Sequence, residues 1–201
     1  NQGYIYEPSA AILKAGAYKL VGARYGLNKL DELSADSTPF FASFLTVSNH
    51  TPFVIPNEYI DRGEEDDERI IAFADDALRQ FVTAAQQTDW GRNTVFVLVA
   101  DHGSSLPSSY EMLLSFHTIP LYIFGAGIQP RQITKTTSQI DIWPTVLSLM
   151  GIEYDNNCLG IDILNNDRTY SFFVSNEHLG VADTTYFYCY RINSQREHLC
   201  R

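Results

Sequence analysis

The sequence predicts an α/β domain built on a largely parallel central sheet, with helices on both faces and a small β-hairpin at the C-terminus. Three observations predict it. Apolar runs of strand length alternate with segments of helical period. The inner runs, Val95–Ala100 and 119-IPLYIFGAG-127, lack polar alternation, as strands covered on both faces do. Between Ile70 and Ala85, apolar residues recur at the 3–4 spacing of a helix packed on one side.

In chain order, residues 8–20 and 25–34 read as short helices. Phe40 to Val47, aromatic and β-branched, reads as a strand, and 54–68 reads as a polar connection. The helix that follows places Ile70, Ile71, Ala74, Leu78, Phe81, Val82 and Ala85 on one face, and Trp90-Gly91 stops it. The acidic run 64-EEDDE-68 suits that helix's N-terminus, where negative charge is favourable; it lacks the alternation and glycine of a calcium loop. In 138-SQIDIWPTVLSLMG-151, Asp141 caps a helix, Pro144 occupies its first turn and Gly151 lies just past its end. Tyr170–Ser175 is a strand, and 185–200 is a hairpin turning near Ser194-Gln195. The expected organisation is an N-terminal helical remnant (1–36), the core of the α/β domain (37–152), and C-terminal strands closing the same domain (153–201).

With 201 residues, 45% of them apolar, the chain can bury one substantial core. A net charge of −10 argues against nucleic acid or an anionic membrane surface as the main partner. No apolar run approaches the roughly 20 residues that span a bilayer. Asn1-Gln2-Gly3 carries no initiator Met, so the sequence reads as a processed form or an excised part of something longer. The hairpin register expected from its turn sets Cys189 directly opposite Cys200, which allows a disulfide in an oxidising compartment or two half-buried free thiols.

The chemistry concentrates where the apolar strand ends on Asp101-His102-Gly103. A carboxylate supplies a hard anionic oxygen, an imidazole a borderline nitrogen, and a glycine lets the chain turn sharply behind them. Zn²⁺ or Mn²⁺ suits such a pair, with further ligands supplied from elsewhere. The alternative is that Asp101 caps the next segment and His102 is an ordinary neutral imidazole. His50 is either a turn-capping ring or a donor to an anionic oxygen. His117 precedes the 119–127 strand and, in a parallel sheet, falls at the opposite edge unless a loop brings it round. His178 and His198 have no role that the sequence reveals.

Four segments in order, 40-FFASFLTVSNHTPFVIP-56, 89-DWGRNTVFVLVADHG-103, 117-HTIPLYIFGAG-127 and 138-SQIDIWPTVLSLMGI-152, resemble the alkaline phosphatase/sulfatase superfamily. The nearest branch is that of lipoteichoic acid synthases and phosphoglycerol or phosphoethanolamine transferases. The resemblance implies an alkaline phosphatase-like fold, incomplete at the N-terminus. It implies that Asp101 and His102 ligate a divalent metal (Mn, Zn, Mg or Ca), and that His50 contacts the phosphate or sulfate of the substrate. His117 stands where the family often has a basic residue near the substrate. Asp141 and Pro144 belong to a structural helix start. Substrates would be phospholipid headgroups, glycan phosphoesters or sulfate esters, attacked by a metal-bound Ser or Thr that forms a covalent intermediate. Family members are extracytoplasmic and membrane-anchored, which places the anchor in an upstream segment. The family's nucleophile and first metal-binding acid have no match here: 6-YEPSAAILKAG-16 is similar to the helix following the nucleophile in transferases, and Ser9 is its only hydroxyl near a helix start. A phosphoester transferase or hydrolase is therefore expected, the alternatives being a true sulfatase or a degenerate member that binds phosphorylated glycan or lipid headgroups without turnover.

Overall fold

The computed structural model describes residues 18–36, 38–104 and 112–201, and side chains from residue 25 onward. The chain forms two compact units, Asn1–Phe96 with Gly125–Ile128, and Val97–Phe124 with Gln129–Arg201.

In the first unit, helix α1 (Tyr18–Ser34) packs on helix α2 (Asp66–Ala85). The expected helix at 25–34 is thus the second half of a single helix, and residues 8–17 lie outside the described residues. A 3-10 turn at Asn57–Arg62 runs through the stretch read as polar connection, because Tyr59 is an anchor. Its ring is buried edge-on against Phe73, 5.3 Å between centroids, and its hydroxyl donates to Asp76. Ile70 and Phe73 complete that core cluster, whereas Ile71 and Leu78 are exposed. The buried stripe of α2 is therefore narrower than the apolar stripe of the sequence, and Phe73 belongs to it. Asp66, Asp67 and Glu68 occupy the first turn of α2, where the helix dipole favours acid. Phe40–Val47 carries no strand ladder. Leu45 and Phe41 are 85% and 74% exposed, and an extended segment without a partner for its amides forms no sheet. Its anchors are rings: Phe40 against Trp90, and Phe44 against Phe81. A short helix, α3 (Asp89–Arg92), follows α2, capped by the Thr88 hydroxyl accepting from the Gly91 amide. A Cβ at Gly91 would lie 1.9 Å from the Ala85 carbonyl oxygen, so only glycine permits this close turn.

Strand β1 (Val95–Val99) pairs with β2 (Leu121–Gly125), and helix α4 (Leu114–His117) precedes β2. The bonds flanking the pair set its direction. The Ala126 amide donates to the Thr94 carbonyl at 3.0 Å, and the Gly103 amide to the Phe116 carbonyl at 2.8 Å. The start of β1 thus lies beside the end of β2, and the two run in opposite directions; the parallel order expected of the central sheet is not carried by this pair.

In the second unit, Asp141 stands at the N-cap of the next α-helix, as expected, but its side chain makes no cap bond there, and Ser138 caps the turn that precedes it. The two form a reciprocal capping box over a 3-10 turn (Gln139–Asp141) leading into helix α5 (Ile142–Leu149). Asp141 is freed for a larger task. Only 1% exposed, it takes a two-pronged bond from Arg168, 2.9 Å at Nε, and accepts the Ser138 and Ile161 amides. That contact holds the Arg168 guanidinium above its usual pKa and ties residues 161–168 to the start of α5.

The tail is a four-stranded antiparallel sheet, β3 (Ser171–Ser175), β4 (His178–Ala182), β5 (Phe187–Arg191) and β6 (Arg196–Cys200), in sequential order. Strand β4 was not anticipated, since His178-Leu-Gly-Val-Ala is short and has a glycine at its centre. One face packs Phe187 and Cys189 against Met112; the other leaves Phe172, Val174 and Leu199 about two-thirds exposed, at 66%, 67% and 68%. The hairpin register differs from expectation by two residues, because a four-residue turn follows Arg191: Cys189 faces His198, and Cys200 faces Phe187. The two thiols are diagonal and free, and diagonal neighbours stand about 7–8 Å apart, beyond disulfide reach. Thiol titration of the unfolded, non-reduced protein should accordingly count three free cysteines; a count of one would restore the disulfide.

Candidate functional site

The second unit holds three of the four candidate residues, two of them against one phenyl ring. Beyond β1 the chain turns at Asp101-His102-Gly103, and both functional side chains are accessible, Asp101 81% and His102 54% exposed. The turn is held by its backbone. Gln139 donates from its side-chain amide to the carbonyls of Ala100 (3.0 Å) and Asp101 (3.2 Å), and Asp101 Oδ1 accepts the His102 amide at 3.0 Å. Gly103 has no room for a side chain, since a Cβ there would meet the Ser115 and Thr118 carbonyl oxygens at 2.1 and 2.6 Å.

The His102 ring is oriented twice. It stacks on Phe116, centroids 4.5 Å apart and planes 17° apart, and its Nδ1 lies 2.9 Å from the Gly103 carbonyl oxygen. A carbonyl only accepts, so Nδ1 carries the proton of that bond, and in the neutral ring Nε2 keeps its lone pair. That Nε2 stands 3.8 Å from Asp101 Oδ2. One anionic oxygen and one imidazole nitrogen, side by side and exposed, form the donor set of half a metal site. Among the described residues no group of three or more His, Cys, Asp and Glu side chains is gathered for a metal.

His117 ends α4 and reaches the same place. Its ring sits edge-on to Phe116 at 5.5 Å and stacks on Phe173 at 4.5 Å, so Phe116 touches both imidazoles. The antiparallel pairing explains this, because the residues preceding β2 lie beside the end of β1. The His117 Nε2 is buried and has no hydrogen-bond partner among the described residues. Burial also lowers the ring's pKa below its ordinary 6.5 by penalising the charged form. The unfolded chain then binds this proton more readily than the folded one. This contribution to stability is complete above pH 6.5 and declines as pH falls through the interval below it. A ring-proton NMR titration should place the His117 midpoint under 6.5; a midpoint above that value would mean an unseen acid faces the ring.

His50 lies in the first unit, exposed, with Nδ1 donating to the Thr51 carbonyl at 2.7 Å beside a cis Thr51–Pro52 peptide. Ser9 lies outside the described residues. Two residues that sequence reasoning passed over, Phe116 and Gln139, organise the site. Phe116 had a signal, an aromatic directly before a candidate histidine; Gln139 had none in periodicity.

The sulfatase family model matches residues 23–152; a ferredoxin-like domain model also matches residues 4–34. The lipoteichoic acid synthase-like protein YvgJ of Bacillus subtilis is 26% identical over 180 residues, covering 74% of this chain and 29% of its own length. Arylsulfatase K of Canis lupus familiaris is 32% identical over 100 residues, covering 46% of this chain and 18% of its own. This chain thus spans less than a third of the length of these curated relatives. A solved protein of the alkaline phosphatase superfamily from Vibrio parahaemolyticus superimposes with a TM-score of 0.76 at 24% identity, over 89% of this chain and 48% of its own. The match shares the fold. With the family model covering well over half of its residues, the chain belongs to the sulfatase family.

Proposed function

We propose that this chain is the C-terminal part of a metal-dependent enzyme that transfers or hydrolyses a phosphoester, in the manner of a phosphoglycerol or phosphoethanolamine transferase. The observation that carries the reading is the Asp101–His102 pair, with Nε2 left bare by the Nδ1 bond and a backbone locked by Gln139 and Gly103. Asp101 and His102 would hold a divalent ion (Mn, Zn, Mg or Ca) with further ligands from outside the described residues. When bound, such an ion lowers the pKa of a nucleophilic hydroxyl and neutralises charge on the group transferred. The nucleophile is assigned to a Ser or Thr outside the described residues.

The chain's own residues orient and stabilise. His117 donates from its unpartnered Nε2 to a non-bridging oxygen of the substrate, which offsets the cost of burying that atom. His50 is assigned a second such contact. Substrates are lipid-headgroup or glycan phosphoesters, reached outside the cytoplasm by a membrane-tethered catalytic domain. No helix among the described residues is long and apolar enough to cross a membrane.

Asp101→Asn tests the reading in the full-length protein. Loss of one anionic ligand should weaken Mn²⁺ affinity measured by calorimetry and lower phosphodiester turnover together, by about a hundredfold or more. Unchanged turnover would remove Asp101 from the metal centre. Turnover of aryl sulfate but not phosphodiester would instead favour the sulfatase reading, which the likeness to arylsulfatase K supports. Headgroup binding without turnover would favour a non-catalytic member.

A further inference from the structure

Strand β4 carries a glycine at its centre, where a residue without a side chain weakens a sheet and often marks the close approach of another group. The approaching group here is a phenyl ring. Gly180 faces Phe173 directly across the β3–β4 pair, and a Cβ at Gly180 would stand 2.3, 2.7 and 2.8 Å from three carbons of that ring. Phe173 therefore occupies the space that any other side chain at position 180 would fill.

The ring is held on its other sides. It runs parallel to Phe187, with planes 10° apart and centroids 5.7 Å apart, and packs on the buried cluster of Met112, Phe187 and Cys189. It also stacks on His117, with centroids 4.5 Å apart and planes 28° apart. His117 meets Phe116 edge-on, and Phe116 stacks on His102. Five rings thus run in contact from the C-terminal sheet to the Asp101–His102 turn, all within the second unit. Stacked rings fix one another's planes, and the plane of an imidazole decides where its Nε2 points. Core packing alone gains nothing from an imidazole against Phe173. The His117 Nε2 is buried with no hydrogen-bond partner among the described residues, a cost that an apolar ring in its place would avoid. An acceptor arriving along that nitrogen offsets the cost, provided that the ring is already aimed.

We propose that Phe173, seated on Gly180, is a positioning residue of the candidate site: its face fixes the His117 ring so that Nε2 is presented to a non-bridging oxygen of the substrate. The identity of that oxygen rests on the phosphoester reading above; the fixing of the ring does not. Phe173→Leu and Phe173→Met keep apolar volume and remove the flat face. In the full-length protein each should lower phosphodiester kcat about tenfold or more, with KM changed less than about twofold, because the contact strengthens as charge develops on the oxygen. In a His117→Ala background the same replacements should change kcat less than about twofold, since no ring remains to be positioned. Gly180→Ala should reproduce the loss with Phe173 still in the sequence, by displacing its ring, and serves if neither replacement folds. Circular dichroism verifies folding. Parent kcat in any of the three folded variants overturns the proposal. So do equal losses with and without His117, which a purely structural residue would give. A second readout needs no turnover. The face of Phe173 shifts the His117 ring-proton resonances upfield, and Phe173→Leu should release that shift; unchanged His117 resonances overturn the proposal. Failure of the phosphoester reading would look different: no phosphodiester turnover by the parent, with the His117 resonances still dependent on Phe173.

Discussion

Replacing Arg168 by Met should destabilise the protein by about 3–5 kcal/mol, the cost of leaving a buried charge without its partner. Asp141 is 1% exposed and depends on Arg168 for its only ion pair among the described residues. The two amides it accepts from Ser138 and Ile161 satisfy part of the carboxylate but do not neutralise it. Chemical denaturation of the variant gives the number directly. The double replacement, Asp141→Asn with Arg168→Met, should recover part of the loss, because no charge is then stranded. A single variant within about 0.5 kcal/mol of the parent, as surface positions behave, would show that the ion pair is solvated in solution. The same measurement separates structure from chemistry. Asp141 sits at a helix start in a family with functional acids, yet all of its described contacts bind chain to chain.

Gly103→Ala should damage the site while leaving its functional groups in the sequence. The added Cβ would meet two carbonyl oxygens at 2.1 and 2.6 Å, both backbone and neither able to swing aside. Relief requires moving either the 101–103 turn or the end of α4. Overpacking of this kind costs about 1–3 kcal/mol. The larger consequence is positional. The Gly103 amide bond to Phe116 and the carbonyl that receives His102 Nδ1 both move with the turn. Metal affinity should fall about 10- to 100-fold, as with loss of groups that orient metal ligands. Manganese titration of the full-length variant, alongside its melting curve, checks both effects. Full metal affinity in a folded Gly103→Ala variant would mean that the turn is more compliant than its contacts imply.

Both effects arise from contacts that pattern reading reaches only in part. Asp101-His102-Gly103 was legible because a strand apolar on both faces ends abruptly on a carboxylate, an imidazole and a glycine, and that juxtaposition is local. The capping of α5 was legible to within one turn. Asp141 does stand at the N-cap, but the engagement of its side chain by Arg168, 27 residues on, was not legible, because that partner is distant in sequence. The buried face of α2 was legible in period but not in width, because exposure of Ile71 and Leu78 depends on what packs opposite. Phe40–Val47 has the composition of a strand, yet a strand exists only when another supplies its ladder.

By itself, then, the sequence determined what is written in consecutive residues. That includes the family, through four ordered segments, the alternation of helices with apolar strands, and the acid–imidazole pair at a strand end. The tertiary structure decided the quantities that depend on direction and register. An apolar run reads the same whichever way it pairs, so only the antiparallel union of β1 and β2 could bring Phe116, and with it His117, beside His102. A hairpin's register follows from the length of its turn, and a four-residue turn, rather than the two-residue one expected, separated Cys189 from Cys200 and set Arg191 against Arg196. Side-chain chemistry is carried by each residue alone, but proximity is a property of pairs distant in sequence, and packing chooses among them.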